Sequence, residues 1–453
     1  KALFSIDEGK GGKGRKDRRI ELLKAHPTLV LDTRHFSPDF TDRMLASFDD
    51  LDEATDGLLV QSENWQALNL LVEKYREQVK CIYIDPPYNT GKDGFPYKDQ
   101  YQHSSWLSML IPRVSVSFAL LSTDGVFFSS MDRNEFSNFQ TAIRRSLPAV
   151  VQVGELVWHN ARDNNPTQIA LEHEYIICLG KSHLVLNAPW KSPFSDAKEA
   201  LLQEYGSLKC QELALSKIQR EIRAFIKANR EMLGEIERYK HVDEDGIYTG
   251  SESVHNPHPG GYDYDILHPV TGKPMRKPAN GYRFPESTMR REFIDKGRLI
   301  YGPDENRIVK IKLYLEDYQD SFRSVITLDG RLGAYSIRDL FAADEKFFPN
   351  PKPVQLIQRA IGFVEIDNAV VMDFFAGSGS TEQAVIAMNR LSKHNLKSIL
   401  VEMDTCFDRV LLPRIKKVTF SPEWKDGKPK RMANAEEAER SPRIVKVIRL
   451  ESY

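Results

Sequence analysis

Ala369-Val370-Val371-Met372-Asp373-Phe374-Phe375-Ala376-Gly377-Ser378-Gly379-Ser380-Thr381 runs from an apolar strand signal into a glycine turn. Glu382-Gln383-Ala384-Val385-Ile386-Ala387-Met388 then continues as a helix. Strand, tight glycine turn and helix make the mononucleotide-binding half of a doubly wound α/β fold. The glycines let the backbone approach a ligand that any Cβ would exclude. A further strand signal, Ser398-Ile399-Leu400-Val401, ends at Glu402, where an acidic side chain commonly holds ribose hydroxyls. Asp404 is a second candidate for that edge. Gln383 and Ala384 stand where the dinucleotide fingerprint needs its third glycine, so an adenosyl ligand without a pyrophosphate is favoured.

Far upstream, the apolar run Cys81-Ile82-Tyr83-Ile84 leads into Asp85-Pro86-Pro87-Tyr88 and then Asn89-Thr90-Gly91. A buried strand ends there, and two prolines force the chain into a rigid loop. Neither proline donates an N–H, so the loop's carbonyls stay free to accept hydrogen bonds. Beside them stand a carboxylate and an aromatic face. An acceptor-only pocket with a stacking platform suits a flat ring that bears an exocyclic amine.

Together the two motifs resemble those of the S-adenosylmethionine-dependent amino-methyltransferases that act on DNA bases. Asp85-Pro86-Pro87-Tyr88 resembles their catalytic motif and Asp373-Phe374-Phe375-Ala376-Gly377-Ser378-Gly379 their cofactor motif, in the permuted order of the β class. Ser105-Trp106-Leu107, Asp124-Gly125-Val126-Phe127-Phe128 and His173-Glu174-Tyr175-Ile176-Ile177 resemble the family's intervening scaffold segments. Phe348-Pro349-Asn350-Pro351-Lys352-Pro353 is similar to the segment that closes the cofactor pocket. Pro269-Val270-Thr271-Gly272-Lys273-Pro274 with Asn280-Gly281-Tyr282-Arg283 is similar to the modification (Mod) subunits of type III restriction systems.

The resemblance implies a Rossmann-like methyltransferase sheet with a circularly permuted motif order and an inserted target-recognition domain. It implies transfer of a methyl group from S-adenosylmethionine to the 6-amino group of adenine in double-stranded DNA, after base flipping. In this family an Asp at the first motif position goes with adenine and a Ser with cytosine. Asp85, Pro86, Pro87 and Tyr88 would be catalytic, with the Asp85 carboxylate and Pro86 carbonyl accepting from the amine and Tyr88 stacking on the base. Asp373, Phe375, Gly377, Gly379, Glu402 and Asp404 would hold the cofactor, with Lys352 at the pocket's border.

A modification and recognition role in a restriction or phage-defence system follows. A homodimer and a separate restriction or translocase subunit are open as partners. The alternatives are a methyltransferase acting on RNA or a protein amide, and a DNA-recognition subunit that guides a separate nuclease or translocase.

Composition agrees and sets limits. The chain has 453 residues, enough for two or three domains. Its net charge is −1, so DNA affinity must come from local basic patches. Cys81, Cys178, Cys210 and Cys406 lack paired spacing, which disfavours disulfides and a zinc site. No apolar run approaches the ~18 residues of a membrane span, and a cytoplasmic enzyme is expected. The chain starts at Lys1 rather than Met, so a fragment of a longer protein is expected.

Residues 1–40 read as a flexible basic arm, 41–190 as the catalytic part of the methyltransferase domain, 191–300 as the inserted target-recognition region, and 301–453 as the cofactor-binding part. Lys13 lacks a following Ser or Thr, so the arm holds no ATPase loop. Residues 196–240 read as one or two long helices. In 241–300, Arg276, Lys277, Arg283, Arg290, Arg291 and Arg298 interleave with aromatic residues and are the candidate DNA contacts. His255, His258 and His268 lack a companion Cys or helical pairing, so no metal is expected.

Overall fold

The computed structural model describes residues 21, 23–90, 101–160, 168–187, 189–192, 194–251, 253–342, 348–363, 368–391 and 395–450. The basic stretch over residues 1–20 lies outside them. The chain forms two units, one running to Trp190 and resuming at Phe322, the other spanning Lys191–Ser321.

The first unit is built on nine strands in the order Val325–Thr327, Val151–His159, His173–Gly180, Leu121–Met131, Val79–Ile84, Val370–Asp373, Lys397–Glu402, Thr55–Gln61 and Ile444–Arg449. Neighbours pair parallel except on the two sides of His173–Gly180, which runs against the rest. Strands buried on both faces need continuous apolar runs, and Cys81 to Ile84 are all buried.

Side chains alternate between faces. Leu58, Val60, Ile399 and Val401 pack under Asn64–Tyr75 and His103–Leu120, through Leu68, Trp106 and Val114. Leu59 and Leu400 point the other way, onto Phe407, Leu411 and Ile415. Helices therefore cover both faces, and the sheet is doubly wound.

From Val79–Ile84 the chain crosses to Leu121–Met131 on one side; from Val370–Asp373 it crosses to Lys397–Glu402 on the other. These two central strands pair directly, Met372 against Ile82. The connections diverge there, which opens a crevice at the carboxyl ends. The two sequence motifs leave the sheet at this point.

Residues 21–40 depart from the expected free arm. The Thr28 hydroxyl donates to the Phe420 carbonyl at 2.7 Å, and Leu29 packs on Leu340, Val418 and Phe420. Apolar burial fastens this segment to the first unit.

The second unit holds a four-stranded antiparallel sheet, His241–Asp243, Gly246–Ser251, Lys310–Tyr314 and Leu299–Ile300. Two helices, Asp196–Lys209 and Leu215–Ala228, pack as a pair through Leu201, Ile218 and Ile222. The expected boundary at residue 300 is too early. Lys310–Tyr314 pairs back onto Gly246–Ser251, so residues 301–321 belong to this unit.

The unit's two ends meet as a short antiparallel pair, Ser192 opposite Asp320. In the first unit, the flanking residues Trp190 and Phe322 are in contact, ring centroids 5.5 Å apart, and Trp190 stacks on Phe363 at 4.2 Å.

Candidate active site

The loop after Val79–Ile84 is held by side chains rather than by a ladder. The Trp106 indole donates to the Pro87 carbonyl at 2.8 Å. Asn89 adopts the left-handed region at φ 59°, which Asn tolerates, and its Oδ1 accepts from the Tyr101 amide at 2.6 Å. Its amide donates to Glu135, a fully buried carboxylate that also binds the His103 ring. Among the described residues no donor reaches the Pro86 carbonyl.

Opposite, the glycine turn needs its glycines. Gly377 and Gly379 take φ of 50° and 82°, and a Cβ on Gly377 would stand 3.0 Å from the Phe348 ring. Arg414, fully buried, binds the turn from behind through the Ser378 carbonyl and the Ser378 and Ser380 hydroxyls; burial lowers its pKa to about 9. Asp373 accepts from the Phe375 amide at 2.9 Å and the Thr381 hydroxyl at 2.6 Å. Burial pushes its pKa up to about 7.

A cavity of about 140 Å³ lies between the two loops. Asp85, Pro86, Pro87 and Tyr88 line one side, with Asp373, Phe375 and Gly377 on the other and Lys352 between. The structure thus brings together the expected catalytic residues and most of the expected cofactor residues. Gly379, Glu402 and Asp404 do not line it.

Glu402 instead ties the turn to its neighbour. Its Oε2 accepts from the Gly377 amide at 2.8 Å, and its Oε1 from the amides of Met403 and Asp404 at 2.9 and 3.0 Å. Asp404 turns one oxygen back to the Thr405 amide at 2.6 Å, and its Oδ2 is buried without a donor among the described residues.

Lys352 does more than border the cavity. Its ammonium lies 3.2 Å from Asp85 Oδ1 and 3.1 Å from Glu174 Oε2. The Asp85 contact is an ion pair without hydrogen-bond geometry, and Oδ1 is buried against the ammonium. Burial opposes the Lys352 charge, but the carboxylates of Asp85 and Glu174 outweigh it and raise its pKa. Burial also raises Asp85, against the pull of Lys352. Glu174 was read only as scaffold; a lone Glu at a strand's start carries no pattern, and its place beside Tyr88 is a tertiary fact.

In the second unit, the nominated basic residues divide into two kinds. Lys277 pairs with Asp263 and Asp265, Arg290 with Glu286, Arg291 with Glu292, and Arg298 with Asp317. Arg276 and Arg283 are exposed and have no acidic partner among the described residues; Arg283 lies over the Phe284 ring at 5.8 Å. His268 is buried, and its Nδ1 accepts from the amides of Val270 and Thr271. No cluster of three metal-binding side chains occurs among the described residues, and no helix there is long and apolar enough to cross a membrane.

Comparison with known proteins gives consistent results. The N6/N4 methyltransferase family, described as DNA methylase, matches residues 79–407. The chain is 40% identical over 377 residues to the Mod subunit of the type III restriction-modification enzyme EcoP15I of Escherichia coli, covering 77% of this chain and 58% of that protein. It is 26% identical over 386 residues to the StyLTI Mod subunit of Salmonella typhimurium, covering 77% and 52%. The chain spans about half the length of these curated relatives. Among solved structures, the cytosine-N4-specific PvuII DNA methyltransferase overlaps 88% of this chain and 97% of its own, with a TM-score of 0.38 at 9% identity. The M1.HpyAVI–SAM complex covers 79% and 98%, with a TM-score of 0.36 at 12% identity.

Proposed function

The chain belongs to the N6/N4 DNA methylase family, and we propose that it methylates the 6-amino group of adenine in duplex DNA with S-adenosylmethionine as donor. One observation carries this reading. Asp85 and Pro86 line the same cavity as the Gly377 turn.

The residues present fit the donor. Gly377 leaves free the space a Cβ would fill, Phe348 and Phe375 supply apolar walls, and Asp373 is an acid held at the turn. When bound, S-adenosylmethionine supplies an electrophilic methyl group. The protein's share is orientation and electrostatics.

The adenine amine is a poor nucleophile because its lone pair is delocalised into the ring. The Asp85 carboxylate and the Pro86 carbonyl accept from its two N–H groups, which draws the lone pair out of conjugation. Asp85, lifted by burial, can also hold the proton that the amine sheds. Tyr88 stacks on the base at roughly 1–3 kcal/mol. The amine is out of reach inside a duplex, so the base must leave the stack.

The relatives' names extend the proposal. We take the chain to be the modification and recognition component of a restriction system, with the 191–321 unit reading the target and a separate restriction or translocase subunit as partner. A homodimer is the oligomeric state to test by light scattering. Incubation of duplex DNA with labelled donor, followed by nucleoside mass spectrometry, tests the activity. Label on N6-methyladenine is expected; label only on cytosine, or only on RNA, overturns the reading.

A further inference from the structure

Glu174 is the second residue of His173–Gly180, the one strand that runs against the rest of its sheet. An antiparallel strand delivers its first residues to the edge where its parallel neighbours end. Tyr175 sits opposite Met131 and Glu174 opposite Trp158, so the Glu174 carboxylate arrives at the mouth of the crevice from the far side of Val79–Ile84.

There it makes three contacts. Its Oε2 accepts from the Tyr88 hydroxyl at 2.6 Å and from the Lys352 ammonium at 3.1 Å. Its Oε1 accepts from the Asn160 amide at 2.7 Å. Lys352 in turn lies 4.4 Å over the Tyr88 ring, 5.5 Å from the Trp158 ring and 3.2 Å from Asp85. One carboxylate therefore fixes both the stacking ring and the cation beside the reacting carboxylate.

Resting on the adenine-methylating reading above, we propose that Glu174 is a positioning residue for the transfer, which clamps Tyr88 and holds Lys352 between two carboxylates. The ammonium is shared. With Glu174 drawing on it, Lys352 keeps Asp85 ionised but does not close onto both Asp85 lone pairs, and the incoming amine finds an acceptor. Without Glu174, Lys352 has Asp85 as its only anion and competes with the substrate for it. The other titratable groups around Asp85 are Tyr83, whose hydroxyl is bonded to Ser130 at 2.7 Å, and Asp373 across the cavity.

The test uses the full chain and compares Glu174→Gln, Tyr88→Phe and Lys352→Met by kcat, KM for DNA and the pH profile of kcat/KM. Glu174→Gln removes a negative charge near Asp85, so the acid limb should move to lower pH while kcat falls about 10-fold. Tyr88→Phe keeps the charges but removes a hydroxyl that favours ionised Asp85, so KM for DNA should rise several-fold and any movement of the limb should be to higher pH. Lys352→Met should move the limb to higher pH. A purely structural Glu174 would lower stability without moving any limb, and that result overturns the proposal. If Glu174→Gln does not fold, the other two variants carry the test, and an unmoved limb in Lys352→Met overturns it. Wild-type protein that leaves adenine unmethylated would overturn the parent reading instead.

Discussion

Asp85 and Gly377 face each other across one cavity, and their removal should have different consequences. Asp85→Ala should cut transfer by at least about 100-fold, the scale of losing a charge-stabilising group, and leave cofactor affinity within a few-fold. Gly377→Val should abolish cofactor binding, because φ of 50° excludes a β-branched residue and the new Cβ would press on Phe348. Calorimetry with S-adenosylmethionine alone separates the two; equal loss in both variants would break the two-sided picture. In the proposed recognition unit, Arg276→Ala and Arg283→Ala should each cost roughly 1–3 kcal/mol of specific binding and relax one base position. Arg290→Ala and Arg291→Ala should do less, since those guanidiniums already hold Glu286 and Glu292. Competition binding with single-base variants of the site measures both. Asp85, Tyr88, Asp373 and Gly377 were legible because a short-range pattern of strand, proline or glycine announces each. Glu174 and the ion pairs of Lys277 and Arg298 were not, because only folding creates them.

The helix Ser380–Leu391 carries a buried acid with no evident catalytic task. Glu382 is 1% exposed, its Oε2 has no donor among the described residues, and burial pushes its pKa up to about 7. A carboxyl raised above its ordinary 4.5 favours the fold fully only while protonated in both states. That contribution is whole below about pH 4.5 and is lost as pH rises through about 7. Glu382→Gln should therefore stabilise the protein by as much as about 3 kcal/mol at pH 8 and very little at pH 4, read by urea unfolding at the two pH values. A second element has no room for change. Gly333, in Arg331–Phe341, would place a Cβ 1.8 Å from the Pro351 carbonyl, in the segment that carries Lys352. Gly333→Ala should lower activity together with thermal stability, by roughly 1–3 kcal/mol for overpacking. Element type was readable from period and punctuation. The end of the insertion was not, because Lys310–Tyr314 is claimed by a strand some sixty residues earlier.

At the scale of the whole molecule, the candidate active site and the proposed recognition residues fall into separate folding units with separate cores. Replacing 191–321 with the matching unit of a relative that reads another sequence should give an active enzyme with the donor's specificity. Sequencing that detects methylated bases would show it; a hybrid faithful to the original site would place recognition elsewhere. Exchange at 191–300 should fail, because it sets Lys310–Tyr314 against a foreign partner strand. The paired junction described above makes the longer exchange feasible. Trp190 touches Phe322 on one side of the boundary, and Ser192 pairs with Asp320 on the other, so the chain departs and returns almost at one point. Heredity can exploit that economy of attachment. If the 191–321 unit reads the target, a single recombination event with both crossovers at this junction would give a lineage a new address in the genome while its catalyst descends unaltered, and specificity could then spread between strains faster than point mutation allows.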